Sequence, residues 1–145
     1  MIKKNILITK NENKNKEKIY LIQWHLIDYK AAIILQNLLE TKIIQQPYLR
    51  LTIKNKIIDF PIFSFLYKDD EYFFISNYVD NDYLHPELKG IDYILLPNND
   101  IDDDSWSDLY RTLKNITTVS GIYSGNEKTA KFVYQLREQM QFYKI

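Results

Sequence analysis

The chain has 145 residues, with 46% apolar residues, 19 basic and 19 acidic side chains, and no cysteine. That much apolar material suits one globular domain with its own core and argues against disorder. The balanced charge removes a global field for nucleic acid or anionic membrane, and the missing cysteine removes disulfides, thiolate catalysis and thiolate metal sites.

Ile, Lys, Asn and Tyr make up 61 of the 145 residues. Their codons are A/T-rich, so the excess reads as genome composition, and a single Lys or Asn carries less information than usual. The apolar run Ile6-Leu7-Ile8 is too short for a signal peptide, and no stretch approaches the roughly 18 apolar residues of a membrane span. A soluble, cytoplasmic single domain over residues 1–145 is expected.

Residues 2–9 alternate weakly, as a short edge strand would, and residues 11–18 (Asn-Glu-Asn-Lys-Asn-Lys-Glu-Lys) read as a solvated loop. Ile19 to Leu26 is apolar and aromatic at strand length. Asp28 is the expected N-cap of a helix whose Ala31, Ala32, Ile34, Leu35, Leu38 and Leu39 share one face. Tyr29 and Ile33 fall on the polar arc, covered by a neighbouring element or facing a partner.

Ile43 to Tyr78 reads as a strand meander with turns at Lys54-Asn55 and Lys68-Asp69-Asp70, and with a bend near Pro61. Its aromatic runs, Phe63 to Tyr67 and Tyr72 to Ile75, lack the glycine and basic positions of an RNA-binding sheet and read as core. Ile91 to Pro97 is a buried strand. Asp102 or Asp103 caps a helix carrying Trp106, Leu109, Tyr110 and Leu113 on one face. Thr117 to Tyr123 is the next strand. Residues 126–143 form a last helix with Thr129, Val133, Leu136, Met140 and Tyr143 in a seam that docks on the sheet or on another chain. Together these elements predict an α+β fold: a mostly antiparallel sheet with helices on one face, plus a C-terminal helix. Ferredoxin-like topology with an inserted hairpin is the specific expectation.

Catalytic and metal signatures are sparse. Asp100 to Ser105 begins like a calcium loop, but Ser105 stands where glycine is needed and Arg111 where a bidentate glutamate is needed. Helix-start acids explain the run better. His25 and His85 are the only histidines, and neither spacing nor neighbours suggest zinc. Three glycines cannot build a phosphate-binding loop, and no serine lies in a nucleophile elbow. No cofactor is expected.

The densest segment is His85-Pro86-Glu87-Leu88-Lys89-Gly90-Ile91-Asp92-Tyr93. Pro86 suits the first position of a helical turn, Glu87 its electropositive start, and Gly90 a left-handed exit. Asp92 sits at a strand start and needs amide or cation partners if buried. These residues resemble the signature of the IPExxxVDY family of small bacterial proteins. Pro86, Glu87, Asp92 and Tyr93 match, Ile91 replaces Val, and His85 stands in place of the first Ile. The resemblance extends over residues 19–123 and implies no particular reaction; the family's frequent gene neighbours, for acyl carrier protein, ketoacyl synthase and ribonuclease III, imply an accessory role.

Two functions follow as expectations. One is a non-catalytic interaction or regulatory module, with Tyr29, Ile33, Val133, Leu136 and Met140 facing a partner or a second copy. The other is a small-molecule site at Glu87, Asp92, Tyr93 and His85. A hydrolase using Glu87 and Asp92 as acid and base, and RNA binding, are minor readings.

Overall fold

A computed structural model describes residues 18–140. The expected strand at 2–9, all but Lys18 of the expected loop, and Tyr143 lie outside the described residues. Eight strands and three α-helices follow: β1 Tyr20–Gln23, α1 Asp28–Leu39, β2 Ile44–Ile53, β3 Lys56–Tyr67, β4 Asp70–Ser76, β5 Tyr78–Val79, β6 Asp82–Tyr83, β7 Tyr93–Pro97, α2 Asp103–Leu113, β8 Gly121–Ser124 and α3 Ala130–Met140. Two 3₁₀ turns, Pro86–Leu88 and Glu127–Thr129, precede β7 and α3.

Six strands form one sheet in the order β2-β3-β4-β7-β1-β8, and β5 and β6 pair as a separate hairpin. Every recorded pairing is antiparallel. The protein is therefore α+β, as its element pattern predicts. β1 lies between β7 and β8, so the connection through α2 crosses over β1 and returns to the sheet two positions from where it left.

Strand alternation sends side chains into two cores. On one face Tyr20, Ile22, Phe63, Phe65, Tyr72, Phe74, Tyr93 and Leu95 pack with Ala31, Ala32 and Leu35 of α1 and Trp106, Leu109 and Leu113 of α2. On the other, Leu21, Phe60, Ile62, Phe73, Ile75, Ile94 and Leu96 meet Phe132, Val133, Leu136 and Met140 of α3. The seam of the last helix thus docks on its own sheet. Burying each of its four side chains contributes roughly 1.5–3 kcal/mol relative to exposure. Val133, Leu136 and Met140 are accordingly not available to a partner, which corrects the partner-facing expectation for them. The aromatic strands are core, as expected: Phe63, Phe65, Tyr72, Phe73 and Phe74 are all buried and offer no stacking platform.

Three two-residue turns, Lys54-Asn55, Lys68-Asp69 and Asp80-Asn81, hold both central residues at positive φ. That conformation matches the right-handed twist of the strands they join. The bend expected near Pro61 is realised in the partner strand: the β2–β3 register shifts between Gln46 and Leu49, which face Ile62 and Phe60. Pro61 has no amide to donate, and the ladder to β4 begins only at Ile62.

Two boundaries differ from expectation. Asp28 is the first residue of α1 rather than its cap; Ile27 holds the cap position in extended conformation with no side-chain bond. Asp28 still places a carboxylate in the first turn, where the helix dipole favours it. The strand expected over Thr117 to Tyr123 is shorter, because residues 116–119 close a local turn in which the Val119 amide donates to the Ile116 carbonyl. Asp102 caps α2 by accepting from the Ser105 amide at 2.6 Å, which holds its carboxyl below the usual range.

Candidate functional site

β1 stops at Gln23 because the next amide leaves the ladder. Trp24 N donates to Asp92 Oδ2 at 2.7 Å, and the Leu26 amide then turns back to the Trp24 carbonyl. The backbone of Asp92 works on both sides: its amide donates to the Ile22 carbonyl, and its carbonyl accepts from Asn77 N. Asp92 is thus a junction of β1, β4 and β7. Its side chain keeps 15% of its surface exposed, with His25 Nδ1 at 3.6 Å from the same Oδ2. A carboxylate has about four acceptor sites, so two contacts on one oxygen leave capacity for a ligand.

Tyr93 packs against Phe74 with ring centroids 4.5 Å apart, and its hydroxyl donates to the Leu26 carbonyl. Burial pushes its phenol pKa above the ordinary value, and the Asp28 and Asp92 carboxylates push it further in the same direction. Three acids and a phenol therefore share one neighbourhood: Asp28, Asp80 and Asp92 join Tyr93 around a cleft of about 420 Å³ at the end of the sheet. Its walls are the β1–α1 connection (Trp24, His25, Leu26, Ile27), Pro61 of β3, and the segment from Ser76 to Asp80.

Ser76 is 3% exposed, sits opposite Tyr93 in the β4–β7 ladder and lines the same cleft. Its hydroxyl makes no hydrogen bond among the described residues. Trp24 is fully enclosed, its indole Nε1 donating to Thr118 Oγ1 at 2.9 Å, and it forms a rigid back wall. Tyr78 is half open to solvent at the rim, held by its hydroxyl bond to Asn81 Oδ1 and by a tilted ring contact with Tyr83, centroids 4.8 Å apart.

The nine-residue segment does not act as one unit. Asp92 and Tyr93 reach the cleft; His85 and Glu87 do not line it. Glu87 is mostly exposed and pairs with Lys131 Nζ of α3 at 2.7 Å. His85 is buried against Phe132, with ring centroids 5.0 Å apart, and its Nε2 has no partner among the described residues. Burial pushes the imidazole down to about 4, slightly offset by Glu87, so it is neutral at physiological pH. A neutral ring can occupy the apolar position that the signature gives to Ile. Asn77 completes this half: its side chain donates to the Leu88 and Ile91 carbonyls and accepts from the His85 amide. Gly90 has φ +83, the left-handed exit expected of it. Of the four residues expected to share a ligand site, Asp92 and Tyr93 line this cleft and His85 and Glu87 do not, and the carboxylate pair needed for a Glu87–Asp92 hydrolase is not assembled in it.

Tyr29 and Ile33 lie on the outer side of α1 and are 54% and 53% exposed; no element among the described residues covers them, and Ile27 beside them is open too. His25 stands just past the end of β1 with an exposed side chain. Among the described residues no three His, Cys, Asp or Glu side chains converge to hold a metal ion, and no helix is long and apolar enough to cross a membrane.

Sequence reasoning missed Ser76, Tyr78, Asp80 and Trp24. Ser76 and Trp24 carry no local signal, since their role depends on strands paired far apart in the chain. Asp80 was legible only as part of a turn. No protein-family model matches the chain, and a search of curated proteins finds no matching relative.

Proposed function

We propose that this protein is a non-catalytic binding module of the IPExxxVDY type, built on a ferredoxin-like core (β8-β1-β7-β4) extended by the β2–β3 hairpin. Its ligand site is the cleft around Asp92 and Tyr93. The observation that carries this reading is the placement of Asp92: its carboxylate fastens the end of β1 and still faces a cleft of about 420 Å³, a volume within the range of small-ligand sites. Ligand screening by thermal shift tests it. A ligand should raise the melting temperature of the native protein and lose that effect in Asp92→Asn, with the Glu87→Gln variant responding like the native protein. Equal stabilisation of Asp92→Asn would sink the cleft as the site.

A second reading rests on the exposed Tyr29 and Ile33, which give α1 an apolar strip on its outer face. It is an interaction surface for a protein partner or a second copy of the chain in a cytoplasmic setting. Sedimentation and pull-down with Tyr29→Ser/Ile33→Ser test this surface. A native protein that is strictly monomeric and recovers nothing that the double variant loses would remove it.

A further inference from the structure

The cleft also has a charge, and it is one-sided. Asp28, Asp80 and Asp92 line it, and no lysine or arginine does; His25 is the one basic side chain at its edge. Asp28 is partly offset by the positive end of α1, and Asp92 by the Trp24 amide and by His25 on one of its two oxygens, which leaves the second Asp92 oxygen and Asp80 to set the sign of the cleft. Burial raises the Tyr93 phenol pKa first, and the Asp28 and Asp92 carboxylates add to it in the same direction. An anionic ligand would enter against that field. A bare metal ion would need convergent oxygen ligands, which these carboxylates do not provide.

Ser76, a residue only 3% exposed, lines the same cleft, and its hydroxyl is an independent polar group with no hydrogen bond among the described residues. A hydroxyl oxygen accepts N–H bonds at two lone pairs. Around these acceptors the lining is aromatic and aliphatic: Tyr78 and Ile27 stand at the rim, both open to solvent. Acceptors inside from Asp92 and Ser76, a third on the exposed Asp80, and apolar surface at the mouth match a group with several N–H donors on a hydrocarbon arm.

We infer that the cleft binds an alkylammonium group, with the ammonium head between Asp92 and Ser76, a second contact to Asp80, and the methylene arm along Tyr78 and Ile27. This deepens the binding-module reading and rests on it. The same chemistry is offered by a free aliphatic amine and by a lysine side chain on a partner.

The test is a titration of the whole protein followed by the amide and indole NMR signals of Trp24 and Ser76. Four probes are compared: cadaverine, N-acetyl-lysine-methylamide, 1-pentanol and pentanoate. Cadaverine or the capped lysine should shift these signals saturably, and the other two should not. A tighter capped lysine identifies a protein side chain as the source; a tighter cadaverine identifies a free amine. Asp80→Asn, in an exposed turn, should weaken binding several-fold, and Asp92→Asn, which keeps an acceptor for Trp24, by about tenfold or more. If pentanol or pentanoate binds in the cleft while both amines fail, the cation assignment is wrong and the binding cleft stands. If no probe or screened ligand moves Trp24 or Ser76, both readings fall.

Discussion

The Asp92 carboxylate accepts the Trp24 amide at 2.7 Å across 68 positions of sequence. This one bond ends β1, aims the chain into α1 and fixes one wall of the cleft. It makes Asp92 structural and functional at once, and the two roles separate by substitution.

Asp92→Asn retains an oxygen acceptor for the Trp24 amide, whereas Asp92→Ala leaves that amide unpaired. Urea unfolding should show Asp92→Ala destabilised by about 1–3 kcal/mol and Asp92→Asn by clearly less. Equal losses would mean that the charge, rather than the amide bond, carries the stability.

Glu87 should behave differently although it belongs to the same segment. Its partner Lys131 is more than half exposed, and an open ion pair is typically worth ~0–1 kcal/mol. Glu87→Gln should shift the unfolding midpoint only slightly, and raising the salt concentration should shrink even that difference.

His85 predicts an acid-sensitive fold. Its native pKa of about 4 lies below the unfolded value of 6.5. Between these values the unfolded chain binds more protons than the native one, so stability rises with pH. The contribution of neutral His85 is complete above about pH 6.5 and is lost as pH falls toward 4, amounting to as much as ~3 kcal/mol. Midpoints measured from pH 4 to 7 should show this slope, and His85→Leu should flatten it. An unchanged slope in His85→Leu would assign acid sensitivity to the carboxylates instead.

Gly125 is required by close approach rather than by its torsion angles. A Cβ there would stand 2.1 Å from Ile19 Cγ2 and 3.3 Å from the Ile19 carbonyl oxygen, which accepts the Gly125 amide. Gly125→Ala should cost about 1–3 kcal/mol through overpacking. Combined with Ile19→Ala, the total loss should fall short of the sum of the two single losses, since the colliding methyl is gone.

How far the sequence could be read depended on the range of the forces involved. The helices, the meander and the turns were legible because period, capping and turn chemistry act within a few residues: Asp102 at the start of α2 and Gly90 after its 3₁₀ turn are examples. The α3 seam was legible as apolar, but whether it met the sheet or another chain depended on tertiary packing. The cleft was half legible. Asp92 and Tyr93 could be singled out as unusual strand-start residues. Ser76 gives no such sign, because it is opposed to Tyr93 only through the β4–β7 register. His85 looked like a polar group seeking a ligand; in the fold, burial makes it an apolar filler.

The three tight turns have a further consequence. The left-handed positions that glycine adopts most freely are held here by Lys54, Asn55, Lys68, Asp69, Asp80 and Asn81; Asn and Asp tolerate that conformation, whereas the Cβ of Lys54 and Lys68 resists it. The fold therefore keeps a reserve of thermal tolerance in its hairpins. Lys54→Gly would relieve up to about 1 kcal/mol of that resistance, set against the added freedom of the unfolded chain. Of these turns, those joining β2 to β3 and β3 to β4 lie outside both cores and the cleft, so their glycine content can vary without altering either.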